Sequence, residues 1–280
     1  LKAIPDPGDE VITPAPYFVE YGFYADNHGG KLVPVKTRTD FSIDVDAIAD
    51  AITPATKAVL INSPNNPTGQ VYSRQNIKEL GRCLTEQSQK HGRTIYLISD
   101  EPYRKITYDG LAVPSVFQCY DNSLIATSYS KDLSIPGERI GFVALNPQAG
   151  EKSRLMEGMT LANRILGFVN APALMQRVVG DLQGKQVDLS QYARKRRLLC
   201  DGLADCGYRF VEPAGAFYLF PEAPIADDVA FVQALQEEKI LAVPGSGFGG
   251  PGHFRLSFCV SDPTITNAIA GFERTINRFR

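Results

Sequence analysis

Short apolar runs recur through the first half of the chain, separated by stretches whose apolar positions fall three and four residues apart. The runs Glu10–Thr13, Lys31–Val35, Lys57–Asn62, Thr94–Ser99, Ser123–Ser128 and Arg139–Leu145 predict strands. Between them, Val45–Ile52 and Ser73–Lys90 predict helices. In the second, Ser73 suits the N-cap, and Ile77, Leu80 and Leu84 share one face. Strands alternating with helices predict an α/β fold, a mostly parallel sheet sandwiched by helices. Helices are predicted next over Glu151–Arg164, Pro172–Gln183 and Leu189–Asp205. The pattern then changes to short strands at Tyr208–Glu212 and Ala216–Phe220, a helix at Asp227–Glu238, and strands at Ile240–Val243 and His253–Val260. A last helix runs from Pro263. This second pattern predicts a smaller α+β C-terminal domain. The boundary is placed in Gln183-Gly184-Lys185, giving segments 1–184 and 185–280.

Composition narrows the class. The chain has 280 residues, 44% hydrophobic and 21% charged, with a formal net charge of −2. That is ample material for a core and no electrostatic footprint for nucleic acid. The run Arg194-Lys195-Arg196-Arg197 reads as the solvated face of a helix. No apolar stretch approaches a membrane span. Five cysteines, without a C-x-x-C pair, predict reduced thiols in a cytoplasmic protein. His28, His91 and His253 lack metal-ligand spacing, so no metal site is expected. The chain starts at Leu1, without an initiator Met or a secretory signal, which predicts that an upstream portion is absent.

Three chemically matched groups follow predicted strands. Asn66, in Asn65-Asn66-Pro67-Thr68-Gly69, follows Lys57–Asn62. Asp100, in Asp100-Glu101-Pro102-Tyr103, ends Thr94–Ser99. Lys131, in Ser128-Tyr129-Ser130-Lys131, follows Ser123–Ser128. All three therefore fall at carboxyl ends of strands, the edge where open parallel sheets bind ligands. An amine, a carboxylate and phenolic or amide donors on one edge suit pyridoxal 5'-phosphate (PLP), which needs a Schiff-base lysine and a partner for its ring nitrogen.

Each residue also has a plainer reading. Asp100 resembles a helix N-cap. Asn66 lies in a strong turn former, and Tyr103 fits a half-buried core position. Ser128, Ser130 and Arg139 suit a phosphate, hydroxyls donating singly and the guanidinium bidentately, although one serine alone would be enough. Tyr17, in Ala15-Pro16-Tyr17, fits a stacking ring and a core aromatic equally well. Arg255 stands on the face of its strand opposite Phe254, Leu256, Phe258 and Val260, where it fits a carboxylate clamp or a surface ion pair. Gly245-Ser246-Gly247-Phe248-Gly249-Gly250 satisfies G-x-G-x-x-G, but Pro251-Gly252 follows where a dinucleotide site needs a helix. It reads as a flexible loop.

Taken in order, these motifs resemble the class I/II aminotransferases, the aspartate aminotransferase-like fold type I of PLP enzymes. The resemblance also takes in Pro-Gly-Asp-Glu-Val-Ile, Ala214-Gly-Ala-Phe-Tyr and Phe254-Arg255-Leu-Ser. It implies that Lys131 carries the cofactor and shuttles a proton. Asp100 then holds the ring nitrogen, Asn66 and Tyr103 the phenolic oxygen, and Ser128, Ser130 and Arg139 the phosphate. Tyr17 stacks and Arg255 grips the substrate α-carboxylate. The resemblance further implies a homodimer acting on an amino acid and a 2-oxo acid, in a family whose chains run longer than this one. Arg164 lies about where aspartate-specific members place an arginine that crosses to the neighbouring site. Two alternatives share the fold: a PLP-dependent C–S lyase, and the effector-binding module of a transcription regulator.

Overall fold

The computed structural model describes residues Leu1–Arg280. A six-stranded sheet holds β1 (Glu10–Ala15), β2 (Lys31–Lys36), β3 (Thr56–Asn62), β4 (Tyr96–Asp100), β5 (Ser123–Ser128) and β6 (Gly141–Leu145). Their order is β2-β1-β3-β4-β5-β6; β6 alone runs antiparallel, against β5. All six strands fall on expected runs. The periodicity is legible because β3 and β4 are buried along nearly their whole length, as strands covered on both faces must be.

Helices α1 (Glu20–Asp26), α2 (Val45–Ala51), α3 (Arg74–His91), α4 (Lys152–Ile165) and α5 (Ala173–Asp181) accompany the sheet. In α3, Ser73 Oγ accepts from the Asn76 amide, and Gly92 closes the far end in the left-handed conformation. The face bearing Ile77, Leu80 and Leu84 packs with Ile12, Val59, Ile61 and Leu97 of the sheet. The opposite face is thinner. There Val11, Ala58, Leu60, Ile98 and Leu124 meet Tyr21 of α1 and Leu155 of α4.

The two rims of this sheet differ. Edge strand β2 reads Lys-Leu-Val-Pro-Val-Lys. Edge strand β6 reads Gly-Phe-Val-Ala-Leu and leaves Phe142 and Val143 about half exposed.

Helices α6 (Leu189–Asp205), α7 (Asp228–Glu237) and α8 (Asp262–Asn277) cover a second, three-stranded antiparallel sheet of β7 (Tyr218–Leu219), β8 (Val243–Pro244) and β9 (Phe254–Ser257), in the order β7-β9-β8. Its core is aromatic, with Tyr208, Phe231, Phe254, Phe258 and Phe272 buried together. Burying each such ring stabilises by about 1.5–3 kcal/mol before entropy is counted. Tyr103, Ile106 and Tyr108, which follow β4, belong to this same core.

Four expectations are corrected here. Tyr208–Glu212 is not a strand: the Tyr208 amide goes back to Leu203 at the end of α6, and the Arg209 carbonyl accepts from Glu222. The strands expected at Ala216–Phe220 and His253–Val260 shrink to two and four residues, and instead of Ile240–Val243 a two-residue strand forms at Val243–Pro244. Helix α1 was not expected. It buries only Tyr21 and Ala25, too few positions to print a helical stripe. The glycine-rich segment is a compact 3-10 turn, Gly245–Phe248, closed by the Gly250 amide on the Gly245 carbonyl.

Two glycines let the sheets' loops meet. A Cβ on Gly69 would stand 2.3 Å from Pro213 Cβ, and one on Gly215 would stand 2.6 Å from Pro64 Cγ. The Gly215 amide donates to the Gly69 carbonyl at 2.9 Å. The Asn-Pro-Thr-Gly turn is therefore pressed against the segment leading into β7.

Candidate active site

Parallel pairing in register brings the strand ends together. Asn62 ends β3 opposite Asp100, which ends β4, and Asp100 stands opposite Ala126 of β5. Asn62 joins the first two elements to the loop. Its Oδ1 accepts from the Asn66 amide at 2.7 Å, and its Nδ2 donates to the Asp100 carbonyl at 2.8 Å.

The Asp100 carboxylate is an acceptor for Tyr21, whose hydroxyl donates to Oδ2 at 2.6 Å. Burial raises the Asp100 pKa to about 6; the Tyr21 hydrogen bond opposes the rise and neighbouring Glu101 adds to it. No cation of the chain forms an ion pair with Asp100. Glu101 points elsewhere, to Ser99 Oγ and Arg104. A carboxylate taken from water and left without a positive partner is costly unless a cationic group arrives.

Lys131 lies on the turn after β5, half-buried. Its Nζ is 5.9 Å from the centre of the Tyr103 ring and 5.6 Å from that of Phe217, and no carboxylate of the chain pairs with it. Tyr103, three residues after Asp100, feels the charge of that carboxylate. Burial, and secondly the Tyr218 hydroxyl, drive its phenol well above the ordinary range.

Arg255 approaches from β9. Its guanidinium carbon lies 4.6 Å from the Tyr218 ring centre and 4.7 Å from that of Phe248. Nη1 donates to Asn66 Oδ1 at 2.9 Å. Burial lowers its pKa, and no carboxylate neutralises it. An arginine clamped between two rings, with donors to spare, is prepared for a carboxylate from solution.

The remaining candidates spread around this centre. Ser128 and Ser130 are half-buried. Ser128 borders a small cavity of about 150 Å3 that Glu101, Lys105 and Asp132 also line. Arg139 is exposed, in the left-handed conformation, with Nη1 on the Pro136 carbonyl. Its charge reaches Tyr24 of α1, as does that of Asp100. The Tyr17 amide donates to the Phe248 carbonyl, and its ring lies where a Cβ on Gly249 would come within 2.9 Å. Phe18 instead meets Tyr21 edge to face, centroids 5.6 Å apart. Arg164 is not brought to the centre. It lies exposed on the last turn of α4, beside Ile165 and near an apolar stretch that includes Phe168 and Leu174, each 72% exposed.

Sequence reading gave no role to Asn62, Tyr21 or Tyr218. Tyr218 stood in a recognised motif, Ala214-Gly-Ala-Phe-Tyr, and that was the one available signal. Two clefts, about 470 Å3 beside Lys57, Tyr96 and Arg154 and about 460 Å3 beside Lys78, Ser88 and Tyr120, contain none of these residues.

Comparison with known proteins agrees with the geometry. The model of the family "Aminotransferase class I and II" matches residues 2–272. An aspartate/prephenate aminotransferase of Thermus thermophilus is 34% identical over 99% of this chain and 72% of its own length. An aspartate aminotransferase of Geobacillus stearothermophilus is 36% identical over 98% and 72%. Among solved structures, an amino transferase from Eubacterium rectale superposes with a TM-score of 0.97 at 43% identity, covering 100% of this chain and 71% of that one. Thermus thermophilus aspartate aminotransferase with maleate gives a TM-score of 0.81 at 32% identity, over 98% and 72%. With its strand-end lysine, aspartate and asparagine and its β9 arginine in this arrangement, the chain belongs to the class I and II aminotransferases.

Proposed function

We propose that this aminotransferase uses pyridoxal 5'-phosphate and moves an amino group between an acidic amino acid, aspartate or glutamate, and a 2-oxo acid. One observation carries the reading: the Asp100 carboxylate, without a cation of the chain beside it, shares the sheet edge with the unpaired amine of Lys131, which lies 5.9 Å from the Tyr103 ring centre.

The residues suit the cofactor. Asp100, steadied by Tyr21, would meet the ring nitrogen. Tyr103 and Asn66 would face the phenolic oxygen, and Ser128, Ser130 and Arg139 the phosphate. Phe18 is the better-placed stacking ring, since it adjoins Tyr21, whereas Tyr17 is committed to the glycine-rich turn. When bound, the cofactor supplies an electron sink for the negative charge that develops at the substrate α-carbon.

The chain's own groups do the rest. The Lys131 amine would hold the cofactor through its aldehyde and would serve as the base and acid that takes and returns the α-proton. Asp100 would keep the ring nitrogen protonated by offering it a negative partner. Arg255 fixes the substrate α-carboxylate through parallel donors, so the α-hydrogen is presented to Lys131 and not to water.

The relatives named for aspartate support the acidic substrate, and the exposed apolar surface around Arg164 supports a second copy covering it. In such a homodimer Arg164 would reach the neighbouring site. Two experiments test this. Protein mixed with PLP should show a visible band that bleaches on adding aspartate, and Lys131→Ala should abolish both. The aspartate-to-alanine turnover ratio should fall in Arg164→Ala; an unchanged ratio removes Arg164 from the account.

A further inference from the structure

Tyr218 of β7 joins two parts of the site that the preceding roles treat separately. Its hydroxyl is 3.1 Å from that of Tyr103, and both are buried. Its ring lies beneath the Arg255 guanidinium at 4.6 Å. Through Arg255 Nη1 to Asn66 Oδ1, the Asn66 amide to Asn62 Oδ1, and Asn62 Nδ2 to the Asp100 carbonyl, a continuous path returns to the strand end bearing Asp100.

Two hydroxyls at that separation share one hydrogen bond, so one of them donates. If Tyr103 donated to Tyr218, its only proton would be spent. If Tyr218 donates, the Tyr103 proton stays free for another acceptor. Charge decides the direction. The Arg255 guanidinium stands 4.6 Å from the Tyr218 ring centre, nearer than the Lys131 amine at 5.9 Å from that of Tyr103, and this favours Tyr218 as donor.

On the proposed PLP reading, we propose that Tyr218 is a positioning residue with two separable parts: its hydroxyl turns the Tyr103 proton toward the cofactor's phenolic oxygen, and its ring holds Arg255 in place for a carboxylate. A strong donor at the phenolic oxygen favours that oxygen's negative form. Weakening the donor therefore raises the pH midpoint of the cofactor's visible absorption. Removing the ring instead loosens the guanidinium, which keeps only Phe248 on its other side.

The test uses the full chain loaded with PLP. Two quantities are read: the pH midpoint of visible absorption, and the Kd of maleate taken from the absorption change it causes. In Tyr218→Phe the midpoint should rise by about half a unit to one unit, the worth of one hydrogen bond, with maleate binding within about twofold of wild type. In Tyr218→Leu the same rise should come with maleate binding weakened about tenfold. A Tyr218→Phe midpoint equal to wild type overturns the proposal, as does equal weakening of maleate binding in both variants. Should Tyr218→Leu not fold, the Tyr218→Phe pair of readings decides. Wild type lacking any Lys131-dependent visible band would instead refute the PLP reading itself, so the two failures are distinct.

Discussion

The Tyr21 hydroxyl and the Asp100 carboxylate are joined at 2.6 Å across 79 residues of sequence, tying α1 to the carboxyl end of β4. This bond opposes the effect of burial on Asp100. In Tyr21→Phe the carboxyl should become harder to ionise, its midpoint moving above about 6, and PLP affinity should fall about tenfold. A carboxyl chemical-shift titration and a PLP titration read the two effects.

Asp100 also makes the cofactor-free protein pH-sensitive. Its folded pKa, about 6, lies above the ordinary 3.8, so the folded state holds the proton more tightly than the unfolded state. Stability from this group is therefore highest below pH 4, declines as pH rises toward 6, and levels off above. The ceiling on the change is about 3 kcal/mol. Denaturant unfolding at pH 4 and pH 7 should show this component in wild type and lose it in Asp100→Asn.

On the proposed reading, Lys131→Ala removes both the attachment point and the proton carrier. Turnover should fall by about a thousandfold or more, while near-wild-type thermal stability is kept, because the amine makes no ion pair that the fold depends on. Steady-state kinetics and a melting curve check the two halves.

Arg255→Lys preserves charge and loses the planar fork. KM for the amino acid should rise about ten- to a hundredfold, with a smaller change in kcat. A comparable loss in kcat alone would show that Arg255 does not hold the ground-state carboxylate.

Gly69→Ala tests the junction between the two sheets. Gly69 has φ +72°, and an added Cβ would collide with Pro213 and the Gly215 carbonyl. A loss of about 1–3 kcal/mol is expected, together with weakened cofactor binding, because the turn carries Asn66. Unfolding in denaturant measures the first and a PLP titration the second.

The large sheet was legible because its strands are apolar runs buried on both faces, bounded by turn residues. The shared placement of the strand ends was legible for the same reason: once β3, β4 and β5 are placed, Asn66, Asp100 and Lys131 must share an edge. Two kinds of feature were not. Helix α1 buries only two positions, so periodicity had nothing to register. At Tyr208–Glu212 the alternation is real, with Tyr208 buried and Arg209 exposed, but its backbone groups find partners outside any sheet. The Tyr21–Asp100 and Tyr103–Tyr218 contacts span 79 and 115 residues, and no local spacing encodes a contact of that reach. The turn carrying Phe248 was read as a flexible loop, yet it supplies one wall of the arginine clamp.

The unequal rims of the large sheet have a practical consequence. At β2, Pro34 removes a donor and two lysines discourage docking by a foreign strand. The β6 rim has no such guard, since Gly141-Phe-Val-Ala-Leu145 carries neither charge nor proline and shows two apolar side chains to solvent. Self-association of the isolated polypeptide at high concentration should therefore begin at β6, and a lysine in place of Val143 should delay it.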